Sequence, residues 1–358
     1  MKLKTTELQD AVTKVYKGVG NNKLIPLTSL INILVSENTL LLTSTDSVNY
    51  FTVKIDNVES GDFEVSVNAD MFTKLVQKMT SETISIEVVD NYLMVVGNGK
   101  YKIDLLIDET GGPVKFPSND GGEVVRQGTI KVDVIRNIIA NGKASLAVSN
   151  DVPCLTNYYC GDNVVTTDRY KICQIGTKLF ETAHLISPAV MELLSTFSAD
   201  TITYYEGQKA FCFDSEHEFL HAPYVDGVEK MPIAAINSLV SSEINSMCKL
   251  PKAPLVAILD RLALFVSPYD KNGIYLTFAE NGLSISSKKS NGSEVIEFVS
   301  VENFTNYSCC IDIEMLRSQV NTISADTVDL YFGAEVAVKF IDGNVTKVVA
   351  LMEDDRIG

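Results

Sequence analysis

SETISI, at Ser81–Ile86, is the first of three similar hexapeptides in this chain. The second is ADTITY at Ala199–Tyr204, and the third is ADTVDL at Ala325–Leu330. Their matched threonines are 118 and then 126 residues apart, which is the length of a small domain and far longer than a solenoid repeat. The spacing therefore predicts one domain design that is used three times in tandem.

A finer repeat lies inside each domain. Apolar residues that recur every three or four positions predict six amphipathic helices, each followed by strand-like runs with a period of two. The first apolar residues of these helices are Leu8, Phe72, Val132, Val190, Leu255 and Ile313. One amphipathic helix cannot cover a sheet, so two helix-plus-strands half-units must share each core.

Clusters of Pro, Gly and Ser mark the boundaries between these domains. They divide the chain into domains at residues 1–119, 120–232 and 251–358, and a linker at 233–250 that contains a candidate short helix. The predicted fold class is α+β. At 358 residues the chain is long enough for three cores of this size.

The net charge of the chain and the distribution of its charges lead to opposite predictions about nucleic-acid binding. There are 30 basic and 46 acidic residues, a net charge of −16, which argues against nucleic-acid binding. Contact depends on local charge, however, because salt screens charges beyond about 10 Å. Five of the six predicted helices have basic residues on their polar faces, and this pattern predicts a DNA surface without base readout. Its candidate residues are Lys14, Lys17, Lys23, Lys74, Lys78, Arg136, Lys143, Arg261 and Arg317.

One motif is typical of an enzyme. His217–His221 matches HExxH, which binds zinc when both histidines lie on one face of a helix. Here the pattern predicts a strand, in which the two side chains would be about 13 Å apart. A zinc hydrolase is therefore the weakest of the hypotheses, and we predict a protein without catalytic residues, metal or cofactor.

The seven cysteines are scattered, odd in number and without a CxxC pair, which is typical of reduced thiols in a cytoplasmic protein. The N-terminal sequence has no apolar signal core. No run approaches the 18 apolar residues of a membrane span. These features predict a cytoplasmic protein with no membrane partner.

Together with the threefold period, several phrases make the chain resemble the bacterial DNA polymerase III beta subunit, the sliding clamp that is the processivity factor of replication. They occur in the same order over essentially all 358 residues. The phrases are NKLIPL at Asn22–Leu27, TD at Thr45–Asp46, PCLT at Pro153–Thr156, VTTDRYKI at Val165–Ile172 and VVALM at Val348–Met352.

The resemblance implies a head-to-tail homodimeric ring of six domains, with sheets outside and helices lining a hole for double-stranded DNA. Its implied partners are a DNA polymerase III alpha subunit or PolC-type polymerase, the clamp loader and repair factors with clamp-binding motifs. Three repeats per chain favour two chains over a trimer of two-domain subunits. The alternative function is a protein-binding scaffold of the same fold that does not encircle DNA.

The resemblance also implies two protein-contact sites. A hydrophobic pocket for polymerase and clamp-loader peptides would use Leu155, Thr167, Tyr170, Lys171, Ile172, Pro232, Val348, Val349, Ala350 and Met352. For Val348 and Val349, a place in a domain core is an equal alternative. The dimer contact would pair Tyr101 and Ile103 with Phe265 and Val266.

The chain departs from the family pattern at the pocket. Where the family commonly reads Thr-Asp-Gly/Ser-His-Arg-Leu, this chain has TDRYKI at Thr167–Ile172. An arginine that usually precedes the Pro-x-Leu-Thr phrase is replaced by Val152, which weakens one of the DNA contacts that the resemblance implies. The C-terminus continues as Glu353–Gly358, which would partly cover the pocket. These differences predict an altered pocket in a divergent clamp.

Overall fold

A computed structural model describes the chain apart from residues 23, 60, 108–111, 113, 115, 117–122, 150–151, 245, 280–281, 288–295, 300–305 and 354–358. Two predicted features, Lys23 and most of the C-terminal extension, therefore lie outside the described residues. The chain divides into two units, Met1–Arg136 with Ala189–Tyr224 and Asn137–Pro188 with Val225–Gly358.

The described residues contain eight α-helices, all six predicted ones among them. They are α1 Thr5–Val15, α2 Ala69–Gln77, α3 Val132–Gly142, α4 Pro153–Thr156, α5 Pro188–Leu194, α6 Ile233–Ser241, α7 Lys252–Leu262 and α8 Ile313–Asn321. Helix α6 is the candidate short helix of the linker, whereas α4 was not predicted. In the described part of the chain no helix is long and apolar enough to cross a membrane.

Twenty-four strands alternate with these helices in the described residues. The first twelve are β1 Lys2–Lys4, β2 Leu30–Ser36, β3 Thr39–Thr45, β4 Tyr50–Ile55, β5 Phe63–Asn68, β6 Thr83–Val89, β7 Tyr92–Val96, β8 Lys100–Asp104, β9 Arg126–Lys131, β10 Tyr158–Cys160, β11 Val164–Thr167 and β12 Lys171–Ile175. The others are β13 His184–Ile186, β14 Thr201–Glu206, β15 Ala210–Asp214, β16 Glu218–Pro223, β17 Ser246–Pro251, β18 Gly273–Ala279, β19 Gly282–Ser287, β20 Ile296–Val299, β21 Tyr307–Asp312, β22 Thr327–Phe332, β23 Ala337–Asp342 and β24 Val345–Ala350.

The three hexapeptides have one structural role. Each contains the threonine that begins a strand, and that threonine pairs with the residue directly before α1, α3 or α7. The first N–H of each of these helices donates to the carbonyl of the residue that precedes the threonine. The N–H···O distances are 3.1, 2.9 and 2.8 Å. The three pairs are Lys4 with Thr83, Lys131 with Thr201 and Pro251 with Thr327. On α1 and α7, which have no side-chain cap, this strand supplies the missing acceptor.

Among the described strands all pairs are antiparallel, and each unit has one eight-stranded and one four-stranded sheet. The eight-stranded orders are β5-β2-β3-β4-β16-β15-β14-β9 and β13-β10-β11-β12-β24-β23-β22-β17. The four-stranded orders are β1-β6-β7-β8 and β20-β19-β18-β21. Each large sheet is thus two four-stranded halves from consecutive predicted domains, joined at β4–β16 or at β12–β24.

The cores follow the predicted apolar stripes. In the first unit Leu8, Val12 and Val15 of α1 are fully buried, as is Phe72 of α2. In the second unit the stripes of α7 and α8 lie in one cluster with β18, β22 and β23. Full burial of a side chain of this size contributes about 1.5–3 kcal/mol, so the stripes account for the orientation of these helices.

Candidate functional site

The two Thr-Asp phrases form the same turn. In each, the threonine and aspartate side chains accept N–H bonds from the residues that follow, and the residue after the aspartate has a φ of 84°. These residues are Ser47 and Arg169. The aspartates therefore cap turns at strand ends, which agrees with a structural role and not with acid–base chemistry.

The turn at Asp168 contains or adjoins several residues of the predicted pocket. Lys171 begins β12, and its Nζ lies 2.7 Å from the carbonyl of Ala144 and 3.3 Å from a carboxylate oxygen of Asp168. Its charge is therefore engaged within the fold. Tyr170 stands beside it with 59% of its area exposed, and the Tyr170 carbonyl accepts the N–H of Ala350 at 2.8 Å.

An apolar cavity of about 310 Å³ lies next to this turn. It is lined by Val152, Cys154, Leu155, Thr167, Arg169, Ile172, Lys230, Pro232, Ala235, Ile236 and Leu239. Four predicted pocket residues, Leu155, Thr167, Ile172 and Pro232, are in that lining. Its size is at the lower end of the range for ligand pockets, and a few apolar side chains would fill it.

The predicted pocket residues on β24 point to opposite faces of that strand. Val348 lies in the apolar cluster that contains Leu155 and Ile172, directly behind the cavity. Val349 is fully buried in the opposite cluster, the core built from α7 and α8. Met352 is half-buried, and its N–H donates to the carbonyl of Cys310 at 2.8 Å. Alternation along a strand thus puts neighbouring valines in different cores.

Helix α6 forms a wall of the cavity that the sequence did not assign to it. Leu239 lies one helical turn after Ala235 and Ile236, and the three line the cavity together. The C-terminal end of α6 is held by the buried Lys339, whose Nζ donates to the carbonyls of Val240 and Ser242 at 2.7 and 2.6 Å. Burial lowers the pKa of Lys339. The apolar pattern of the linker predicted a short helix, but the sequence did not indicate which surface that helix would pack against.

The predicted DNA residues fall into two groups. Most are held by acids: Lys14 by Glu218, Lys74 by Asp70, Arg136 by Asp133, Arg261 by Glu297 and Arg317 by Asp260. Lys17 and Lys78 are exposed and form no ion pair with a described residue. Lys143 is also exposed. The basic helix faces are therefore mixed in charge, and Lys17 and Lys78 are their most available cations.

Four of the five residues of the HExxH match lie in a strand, and His217 directly precedes it. Glu218 begins β16, and His221 pairs with Tyr50 on β4. The Glu218 side chain is 1% exposed and accepts from Lys14 and Ser215 at 2.5 and 2.7 Å, so it is a buried structural carboxylate. Within the described ranges no three His, Cys, Asp or Glu side chains are grouped as a metal site.

The predicted dimer residues lie near two sheet edges. Tyr101 and Ile103 are on β8, the last strand of its sheet; Tyr101 is 38% exposed and Ile103 is buried. Phe265, 43% exposed, and the half-buried Val266 follow α7. The edge strand β20 was not in the prediction, although an ion pair between Arg261 and Glu297 joins it to α7.

Known proteins match this chain in sequence and in fold. Residues 1–109 match the family described as DNA polymerase III beta subunit, N-terminal domain. The Beta sliding clamp of Bacillus subtilis (strain 168) is 26% identical over 161 residues, 42% of this chain and 41% of that protein's length.

Solved structures cover nearly the whole chain. A DnaN sliding clamp from Pseudomonas aeruginosa bound to griselimycin has a TM-score of 0.88 at 17% identity, and covers 99% of both chains. A DNA polymerase III beta subunit from Thermotoga maritima has a TM-score of 0.87 at 14% identity, again over 99% of both chains. At these identities the likeness establishes the fold, which is the predicted α+β clamp fold.

Proposed function

We propose that this chain, a divergent member of the DNA polymerase III beta subunit family, is a sliding clamp that encircles duplex DNA and confers processivity on a replicative polymerase. The proposal depends on one observation above all, the likeness of 99% of the chain to solved beta clamps. The family is non-catalytic, and the structural role of Glu218 and both Thr-Asp turns is in keeping with that. The residues proposed for DNA, peptide and dimer contacts are those named above.

The strand topology supports closure with a second chain. Two joints of one kind, β4–β16 and β12–β24, connect consecutive predicted domains within the chain. The strands equivalent to these partners are β20 and β8, and each is the last described strand of its sheet. A third joint of the same kind between two copies would make a head-to-tail dimer. Two such joints would close a ring of six domains.

Charge reversal at the exposed helix lysines tests the DNA surface. We expect the Lys17→Glu/Lys78→Glu variant to shorten polymerase products on primed circular DNA about tenfold in about 0.15 M salt, because phosphate contacts dominate such binding. The assay uses the cognate polymerase and clamp loader. Lys14 is unsuitable for this test because its replacement would also remove the partner of Glu218.

The matched control changes Lys209, in the turn between β14 and β15, and Lys249, on β17: Lys209→Glu/Lys249→Glu. Both variants change the net charge per chain from −16 to −20, since each reversal subtracts two. The control should leave product length unchanged. If the helix variant makes products as long as the control does, Lys17 and Lys78 are not part of the DNA surface.

A topological assay separates the clamp from the scaffold alternative. A ring loaded on a closed circular plasmid should elute with it, and one restriction cut should release the protein without any change of salt. A scaffold would either fail to co-elute or be indifferent to the cut. Co-elution that survives linearisation would contradict encirclement.

A further inference from the structure

Helix α6 is attached to the rest of the second unit at few points. Among its side chains Ile236 is buried, while Ile233 and Val240 pack partly buried against the same apolar cluster. A hydrogen bond of 2.8 Å from Gln174 Nε2 on β12 to Asn237 Oδ1 holds its exposed side. Segments with few buried apolar contacts open locally at a small fraction of the free energy of global unfolding. We therefore expect α6 to detach more readily than the strand residues that complete the cavity lining.

The sequence of α6 does not by itself favour a helix. The helix has nine residues, fewer than the about 12–15 that an isolated helix needs to be even marginally stable in water. Ile233, Ile236 and Val240 are β-branched, which lowers its helix propensity further. Pro232, at the N-cap, offers no side-chain acceptor, and the helix has no acidic residue in its first turn and no basic residue in its last. The helix therefore depends on contacts with the rest of the unit.

Lys339 supplies the cation that the last turn of α6 lacks. Its side chain is buried on β23, and its Nζ donates to the carbonyls of Val240 and Ser242 at 2.7 and 2.6 Å. A positive charge at the C-terminal end of a helix is favourable. Burial opposes the charge, however, and lowers the pKa of Lys339. Release of α6 would return the ammonium group to water, and this hydration offsets the loss of the two hydrogen bonds. The contact thus holds α6 closed at a small cost of opening.

The other end of α6 is fixed. Met231, which directly precedes Pro232, is buried in the apolar cluster, and its carbonyl accepts the N–H of Ile233 at 2.7 Å. Leu239 lies about 10 Å from Pro232 along the helix axis, at about 1.5 Å per residue. Residues 242–244, which follow the helix, are neither helix nor strand. A rotation about Met231 and Pro232 would therefore move Leu239 away from the cavity and open it.

We propose that α6 is a hinged gate of the apolar cavity, anchored at Met231 and held shut at its other end by Lys339, and that a peptide enters and leaves when that end releases. This inference rests on the proposed role of the cavity as a peptide pocket. Lys339 contacts the backbone of α6, so the contact would be the same with and without a bound peptide. The gate would therefore set the rates at which partners exchange and would change their affinities little.

Hydrogen exchange of the full chain tests the mobility of α6 without any ligand. The reference is α8, which also has nine residues and lies in the same unit but is capped by Asp312. We expect the α6 amides to exchange about 100-fold faster than those of α8, since local opening needs far less free energy than global unfolding. Lys339→Met should speed α6 about tenfold more and leave α8 unchanged. Gln174→Ala, which removes an exposed contact, should have a smaller effect of about twofold, and Lys209→Met should have none.

Binding kinetics test the gate itself. The probe is an acetylated and amidated peptide of serine and glycine with two adjacent leucines, which carries a neutral fluorophore and is followed by stopped-flow anisotropy. We expect Lys339→Met to raise the association and dissociation rate constants together, each about five- to tenfold, with Kd changed less than about twofold. A loosened wall that is not a gate would raise the dissociation rate alone. The control Lys209→Met should keep both rates of the unaltered chain.

Each outcome supports or overturns the gate. Exchange of α6 as slow as that of α8 would overturn its mobility, and equal α6 exchange in Lys339→Met and the unaltered chain would overturn the role of Lys339. A rise in the dissociation rate alone, or no change in either rate, would mean that α6 is a wall and not a gate. If neither the unaltered chain nor any variant bound the peptide, the peptide pocket would be wrong and this inference with it. The plasmid assay does not involve the cavity, so encirclement is decided separately.

Discussion

Replacing Ile296 and Phe298 by aspartate is expected to halve the mass of the particle in solution, from 78.4 kDa (twice 39.2 kDa) to 39.2 kDa. Both side chains lie on the edge strand β20 and are 50% and 68% exposed, so the single chain does not need them for folding. Edge strands with apolar side chains invite pairing with another strand. Two carboxylates at the centre of such an interface would be left buried and unpaired.

The measurement is light scattering at several protein concentrations, followed by the polymerase assay. A dissociated chain cannot enclose DNA, so product length should fall to that obtained without the protein. Val148→Asp is a matched control, because Val148 is fully exposed and lies outside both sheet edges. A double variant that keeps the mass of two chains would place the dimer contact elsewhere.

The repeat also predicts the register of this contact. Phe219 of β16 faces Thr52 of β4 in the first joint, and Thr346 faces Gln174 in the second. The strand pairings place Lys100 and Ile296 at the corresponding positions of β8 and β20. We therefore expect Lys100→Cys/Ile296→Cys to form a disulfide between chains, since facing residues of antiparallel strands lie within disulfide range.

Local pattern was enough to predict much of this fold. The helices α1, α2, α3, α5, α7 and α8 and several strands were visible because burial repeats at 3.6 or 2 residues along them. Thr39–Thr45 and Tyr50–Ile55, for example, are rich in β-forming residues, and both are strands. The start of α8 is also locally determined, because Asp312 accepts N–H bonds from Glu314 and Met315.

The pairing of strands that are distant in sequence could not be predicted from the sequence. The joints β4–β16 and β12–β24 connect strands more than 160 residues apart, and no periodicity specifies which edge meets which. The same limit applies to the cavity. Four of its lining residues were predicted, but the wall formed by α6 and the cations Arg169 and Lys230 were not. Periodicity places a residue on a face and says nothing of what lies opposite that face.

Lys14 is the clearest case of this limit. Helical periodicity puts it on the polar face of α1, where it was predicted to meet DNA. In the structure Lys14 contacts Glu218, 204 residues further along, together with Ser198. Glu218 is on β16, so this ion pair ties the first predicted domain to the second across the β4–β16 joint. For Lys14 the structure therefore favours a structural role over the DNA contact that remains our prediction for Lys17 and Lys78.

We expect Lys14→Met to lower the free energy of unfolding of the first unit by about 2–3 kcal/mol, because it leaves the buried Glu218 carboxylate with neutral partners alone, the hydroxyls of Ser198 and Ser215 and the N–H of Ser198. The value is below the usual loss for a broken buried pair, about 3–5 kcal/mol, because the Lys14 side chain is 26% exposed. Scanning calorimetry should show a transition about 5–10 °C lower. Lys17→Met, three residues further along in the turn that directly follows α1, is exposed; it is the control and should stay within about 0.5 kcal/mol.

The pH dependence of the same pair has a definite sign. Burial alone would raise the pKa of Glu218, but hydrogen bonds from Lys14, Ser215 and Ser198 outweigh it and hold the pKa below its ordinary value of 4.5. A carboxyl with a lowered folded pKa stabilises the fold above its unfolded pKa, and this contribution is lost as the pH falls through the folded value. The unaltered chain should therefore lose stability below about pH 4.5, and Glu218→Gln should lose less over that range.

In the Lys14→Met/Glu218→Gln double variant the two costs should be less than additive, because the second change removes the charge that the first left unpaired. Strict additivity, or an unchanged acid profile in Glu218→Gln, would mean that the ion pair does not hold this joint.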